Sequence, residues 1–217
     1  MKRLFIILAA LLLALSCVSA LAEESPALSP VAVEPVVPEQ LNGEYNFKIL
    51  SFEGGYITAS LYKLDLYEAE SVKGLATGSK ILVNGITYTV SEIMEHDEDT
   101  IEIIPEGDFY GYIVLYPHWS EDGFWYPVQG DEDGDWSPCT YVGEVKTTLT
   151  DSFVYLEYVA GEEVKQKAAK LEKRLNEEDG ISWFTQYNTT AVFKDGVLTE
   201  LHHSDYPIGP AEETTAD

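Results

Sequence analysis

Two groups of residues in this sequence have the types and spacing to do chemistry. The first is acidic. Asp131-Glu132-Asp133-Gly134-Asp135 sets carboxylates at alternate positions around a glycine, and hard oxygen ligands in a tight loop suit Ca²⁺. Asp131, Asp133 and Asp135 are the candidate ligands. The loop is not an EF-hand, because Trp136 stands where that motif places its bend glycine and Val142 where it places its closing glutamate. The second group is aromatic. Phe109, Tyr110, Tyr112, Tyr116, Trp119, Phe124, Trp125, Tyr126, Trp136 and Tyr141 put ten aromatics, and three of the four Trp, into 33 residues. Strand alternation assigns Tyr110, Tyr112, Val114 and Tyr116 to one face and Ile113 and Leu115 to the other. Tyr and Trp carry an apolar body with a polar tip. Aromatics beside carboxylates can stack on a sugar ring or pack against a partner's surface. Tyr110, Tyr112, Tyr116, Trp119, Trp125 and Trp136 are therefore the candidate ligand-binding residues. The competing reading is that these rings are the core of a β-domain.

The remaining chemistry is thin. His202-His203 offers imidazoles, but adjacent strand residues point to opposite faces, so both do not easily reach one ion. Cys139 has no cysteine-enzyme motif around it and reads as a small apolar filler. The chain has no GxSxG, no HExxH, no paired CxxC and no phosphate-cradling glycine loop. Carboxylate pairs for glycoside hydrolysis are numerous in the 92–135 region, but their separation in space cannot be read from sequence. No catalytic residue is assigned, and no cofactor is implied beyond Ca²⁺.

The chain is 217 residues long with a formal charge of −25. A hydrophobic fraction of 45% and 12% aromatics is too apolar for a disordered acidic tail. The charge excludes a nucleic-acid binder, which needs clustered Lys and Arg to release counterions. It also excludes adhesion to anionic lipid through basic residues. The acidity is uneven. No Lys or Arg occurs between Lys80 and Lys146, a stretch holding 15 acids, whereas Lys165, Lys167, Lys170, Lys173 and Arg174 crowd one short segment. If that basic segment lies on the acidic strands, the asymmetry is internal neutralisation. If it does not, the protein is a strong dipole.

These side chains must be held by elements legible in the pattern. Met1-Lys2-Arg3, an apolar run from Leu4, and Ala20-Leu21-Ala22 form the three parts of a secretory signal. Cleavage near Ala22 would leave a secreted or extracytoplasmic protein of charge −27 whose sole cysteine is Cys139. The rival is a lipoprotein anchored through Cys17, for which Ala14-Leu15-Ser16 is a poor match, since Leu sits where a small residue is usual. Residues 23–41 hold four Pro and no aromatic and read as a flexible spacer with extended preference. Residues 208–217 read as a disordered tail. No further run is long and apolar enough to span a membrane.

Between them, residues 42–207 read as a single β-rich domain. Ile81-Leu82-Val83, Asn84-Gly85 and Ile86 to Val90 spell a hairpin, and Lys194-Asp195-Gly196 spells a second near the C-terminus. Repeated short strands suggest an antiparallel barrel or sandwich. Val164, Ala168, Leu171 and Leu175 form one helical stripe, so an amphipathic helix is expected near 162–178, with Gly180 as its C-terminal cap. The alternative is an α+β two-lobe arrangement divided near Gly161. The functional expectation is an exported, non-catalytic domain that binds an extracellular protein or carbohydrate. A carbohydrate-active hydrolase and a lipid-anchored accessory protein are the alternatives.

Overall fold

The computed structural model describes residues 26–97, 100–107, 109, 111–119, 123–131, 134–159 and 162–204. The expected leader and tail lie outside them. The chain is mainly β, in two sheets. Sheet 1 contains β1 (Gly43–Glu53), β2 (Tyr56–Leu64), β10 (Cys139–Thr148), β11 (Val154–Val159), β12 (Glu162–Gln166), β13 (Thr189–Lys194) and β14 (Val197–Ser204), in the order β10-β2-β1-β13-β14-β11-β12. Every pairing is antiparallel except β11 with β14. Sheet 2 contains β3 (Tyr67–Glu68), β4 (Lys80–Val83), β5 (Ile86–Asp97), β6 (Thr100–Pro105), β7 (Tyr112–Pro117) and β8 (Phe124–Asp131), in the order β3-β8-β7-β6-β5-β4, with β9 (Gly134–Trp136) paired to β8. A short helix α1 (Ala69–Lys73) follows β3.

Sheet 2 is inserted between two strands that pair with each other. β2 and β10 meet at Leu64 opposite Cys139, and the Asp65 amide still donates to the Pro138 carbonyl at 3.0 Å. The whole of sheet 2 lies between those points in sequence. Each sheet has its own core. Phe47, Ile57, Leu61, Tyr155, Phe184, Phe193 and Leu201 fill that of sheet 1. Tyr67, Ile81, Val83, Val90, Ile103, Ile113 and Leu115 fill that of sheet 2.

The hairpin turns follow the expected chemistry. Asn84-Gly85 has φ of 51° and 75°, and Asp195-Gly196 has 51° and 77°, the left-handed pair that joins two twisted strands. The helix differs from expectation. Glu162–Gln166 is an edge strand, because its backbone completes a ladder with β11, with Glu162 opposite Val159 and Gln166 opposite Tyr155. The helix α2 covers only Ala168–Leu175 and buries Leu171 and Leu175 in the sheet 1 core. It is capped by Asn176 rather than Gly180, with the Asn176 side chain donating to the Glu172 carbonyl at 2.7 Å. Gly180 is needed for another reason: a Cβ there would lie 1.9 Å from the Arg174 carbonyl oxygen. The expected alternative division near Gly161 does not occur, since β11 and β12 on either side pair within one sheet.

The Pro-rich segment is not a free spacer over its described part. The Leu28 amide donates to Lys80 (2.7 Å) and the Leu28 carbonyl accepts from Leu82 (2.8 Å), adding a parallel bridge to the open side of β4. The Val31 amide donates to Leu66, at the junction of the sheets, and the Val36 amide donates to Val142 on β10 at 2.9 Å. Leu41 is buried in the sheet 1 core. The segment therefore straps both sheets along one exposed edge of each. Its prolines carry no N–H and so block further strand addition, a common way to blunt an edge. The opposite edge of sheet 1, β12, is exposed along Glu162, Glu163 and Lys165, and charge there does the same work.

Candidate functional site

The aromatic residues sort onto the two faces of β7 and β8. Tyr112 pairs with Gly130, Val114 with Val128 and Tyr116 with Tyr126, so these six share the face turned away from the sheet 2 core, the outer face; Val114, Tyr126, Val128 and Gly130 on it are buried, and Tyr112 and Tyr116 are half-buried. Ile113 and Leu115 point inward and are fully buried, as alternation requires. Trp125 is inward too, packed in the sheet 2 core. Trp136 lies opposite Gln129 on β9 and so shares Gln129's face rather than that of Tyr112. Of the expected binding residues, the structure thus brings together Tyr112, Tyr116 and Trp119. It removes Trp125 to the core and sets Trp136 on the other side. Tyr110 lies outside the described residues.

The outer face is ordered by ring contacts. Tyr126 is buried beneath its neighbours, with Tyr116 stacked on it at 5.8 Å and Trp119 edge-on at 5.3 Å. His118 stacks on Trp119 at 4.2 Å between ring centroids. Trp119 is nevertheless 68% exposed. Its ring is thus held by two aromatic contacts and still faces solvent. Burial pushes the Tyr126 hydroxyl up to about 12, with nearby Tyr116 adding to the effect.

At the far end of the same face, Tyr112 crosses Gly130 and its hydroxyl donates to Asp135. Gly130 is the floor of this contact. A Cβ there would lie 2.5 Å from the Tyr112 ring and 2.5 Å from the Asp135 carboxylate. Desolvation first, then the hydrogen bond and charge of Asp135, push the Tyr112 hydroxyl up to about 12. His118 and Gly130 are site residues that sequence reasoning missed, and Tyr126, counted in the aromatic cluster, was not among the candidate binding residues. The signal for Tyr126 was its place opposite Tyr116, which needs the register; Gly130 gives no sequence signal beyond being glycine.

Of the acidic loop, Asp131, Gly134 and Asp135 are described. Asp131 lies opposite Gly134 and Asp135 opposite Gly130, so alternation assigns the two carboxylates to opposite faces, and Asp135 already accepts from Tyr112. Asp133 lies outside the described residues. Among the described residues no group of three or more His, Cys, Asp or Glu could hold a metal.

The other chemical candidates sit elsewhere. Thr189 Oγ1 lies 3.2 Å from His203 Nδ1, and the buried His203 ring packs on Phe184, whereas His202 lies 3.2 Å from Glu200. Burial, then nearby Asp65, push the Cys139 thiol up to about 12, the reverse of what a nucleophile needs. Asp65 itself is raised by burial at the junction of the sheets, where the Thr140 hydroxyl donates to it at 2.6 Å.

Comparison of the chain with protein-family models, with curated proteins and with solved structures finds no match. Among the described residues no helix is long and apolar enough to cross a membrane.

Proposed function

We propose that this is an exported, non-catalytic binding domain whose contact surface is the accessible part of the outer face of sheet 2: exposed Trp119 and Asp135 with the half-buried rings of Tyr116 and Tyr112. The observation that carries the reading is the exposure of Trp119 despite its stacking on His118 and its edge-on contact with Tyr126. A ring fixed in place has little conformational entropy left to lose on binding, which favours it as an anchor. A Trp side chain offers up to ~250 Å². With 68% of the residue still in water, covering it would release roughly 4 kcal/mol at ~25 cal/mol per Å² before association costs are subtracted. That is the scale of a binding hot spot. Export rests on the N-terminal leader and places the working form at or beyond the cell surface.

The test is a screen of soluble cell-wall glycans and peptides read by tryptophan fluorescence, with Trp119→Ala as the control. The expected result is at least one ligand whose binding is lost in Trp119→Ala while the melting temperature is kept. A screen in which Trp119→Ala binds every hit as tightly as the parent would sink the proposal. Mass spectrometry of the exported protein should find an N-terminus at Glu23; a lipid on Cys17 would move the reading to an anchored protein.

A further inference from the structure

Resting on that reading of the outer face, we infer that its occupant is an extended peptide segment bearing Lys or Arg side chains. The first support is the charge layout that the topology creates. Strands β5 to β9 fall entirely within the 65 residues that hold 15 acids and neither Lys nor Arg. The basic segment does not offset them. Lys165 belongs to β12 and Lys170 and Lys173 to α2, and β12 is the last strand of sheet 1, at the edge opposite β10. Sheet 2 joins sheet 1 through β2 and β10, at the other edge. α2 is committed to sheet 1, where Leu171 and Leu175 enter the core and Arg174 pairs with Glu157. Of the two layouts the charge pattern allows, the fold takes the polarised one. A cationic segment is drawn to such a surface, and a neutral sugar is not.

The second support is the chemistry of the face. Aromatic rings with exposed faces attract ammonium and guanidinium groups, Trp most strongly. Trp119 supplies such a ring, with Tyr116 beside it. Asp135, its carboxylate steadied by the Tyr112 hydroxyl, supplies an anion at the other end. Tyr112 and Tyr116 are four residues apart on one strand, a span of ~13 Å. An extended peptide repeats that spacing between its own residues i and i+4, so one side chain meets Trp119 while another meets Asp135. A second copy of this chain is disfavoured as occupant, because two molecules of charge −27 repel.

The experiment titrates the full exported chain with hexalysine, hexaarginine, hexaglutamate and cellohexaose, reading tryptophan fluorescence at low and moderate salt. Hexalysine or hexaarginine should bind, weaken steeply as salt rises, and lose about tenfold or more in affinity in Trp119→Ala. Asp135→Asn, which keeps the acceptor for Tyr112, should also weaken binding. Glu162→Gln, which removes the same single charge from an exposed position on sheet 1, should not. Equal losses in the sheet 1 variant and in Asp135→Asn would show diffuse attraction and overturn the inference. Trp119-dependent binding of cellohexaose alone would overturn the cationic occupant and leave the binding face standing. Concentration-dependent self-association abolished by Trp119→Ala would assign the face to a second copy. If no probe binds in a Trp119-dependent way, the inference falls, and the wider ligand screen then decides the face itself.

Discussion

Replacing Arg174 with Met tests how α2 is attached. Arg174 Nη1 donates to Glu157 Oε1 on β11, and its guanidinium lies 5.7 Å from the Trp183 ring. Glu157 is almost wholly buried, with 9% of its side chain accessible against 22% for Arg174. In Arg174→Met the carboxylate keeps one described donor, the Tyr155 hydroxyl at a long 3.5 Å. Removing one partner of a buried pair costs ~3–5 kcal/mol, because the other charge stays desolvated. Since about a fifth of the Arg174 side chain is in water, we take the lower end, ~3 kcal/mol. For a chain of this size that is a fall of roughly 6–12 °C in melting temperature. Adding Glu157→Gln should recover most of it, since a neutral amide has no charge to desolvate. Thermal unfolding and hydrogen exchange followed by mass spectrometry make the assay. The two cores share no residue, so protection should fall in peptides from 139–204 and hold in those from 80–117. A loss under ~1 kcal/mol, the scale of exposed ion pairs, or an equal loss of protection in both sheets, would refute this account.

Further outcomes are expected. Deleting residues 26–30 should speed exchange of the Leu82 amide, which donates to Leu28, while the Leu198 amide of sheet 1 keeps its rate. Burial raises the Asp65 carboxyl, so the folded state holds that proton more tightly than the unfolded chain. Ionisation then weakens the fold as pH rises from ~4, the unfolded value, through the raised folded value. Asp65→Asn should therefore raise the melting temperature at neutral pH, with the gain shrinking towards pH 4. Gly180→Ala should cost about 1–3 kcal/mol by urea denaturation, because its Cβ meets a backbone oxygen. Gly130→Ala should cost less, since it meets the far ends of two side chains. By ultraviolet titration, that variant should lower the raised ionisation of Tyr112 by parting it from Asp135.

Local chemistry was legible without a fold. Asn84-Gly85 and Asp195-Gly196 announced their hairpins because few other dipeptides accept positive φ twice. Alternation along β7 separated Tyr112 and Tyr116 from Ile113 and Leu115 because a strand has a period of two whatever it pairs with. The stripe at Leu171 and Leu175 is legible because a helix brings residues four apart onto one face whatever it packs against. Its extension back to Val164 fails because β11 offers that backbone a ladder, and pairing with Tyr155–Val159 leaves no mark on the helical period of 162–166.

What only tertiary structure decided is everything that depends on partners distant in sequence. Trp119 and Trp125 flank one turn and look alike in sequence, yet register puts Trp125 in the core and leaves Trp119 in water. Asp131 and Asp135 looked like ligands to one ion, and the β8–β9 pairing sets them on opposite faces. The prolines of 26–38 promised extended chain, and the two uncovered edges gave that chain a place to lie. The acidic block and the basic segment were visible as compositions. Their separation to opposite edges of sheet 1 follows from the insertion of sheet 2 between β2 and β10, because charge is a property of residues and distance a property of the fold.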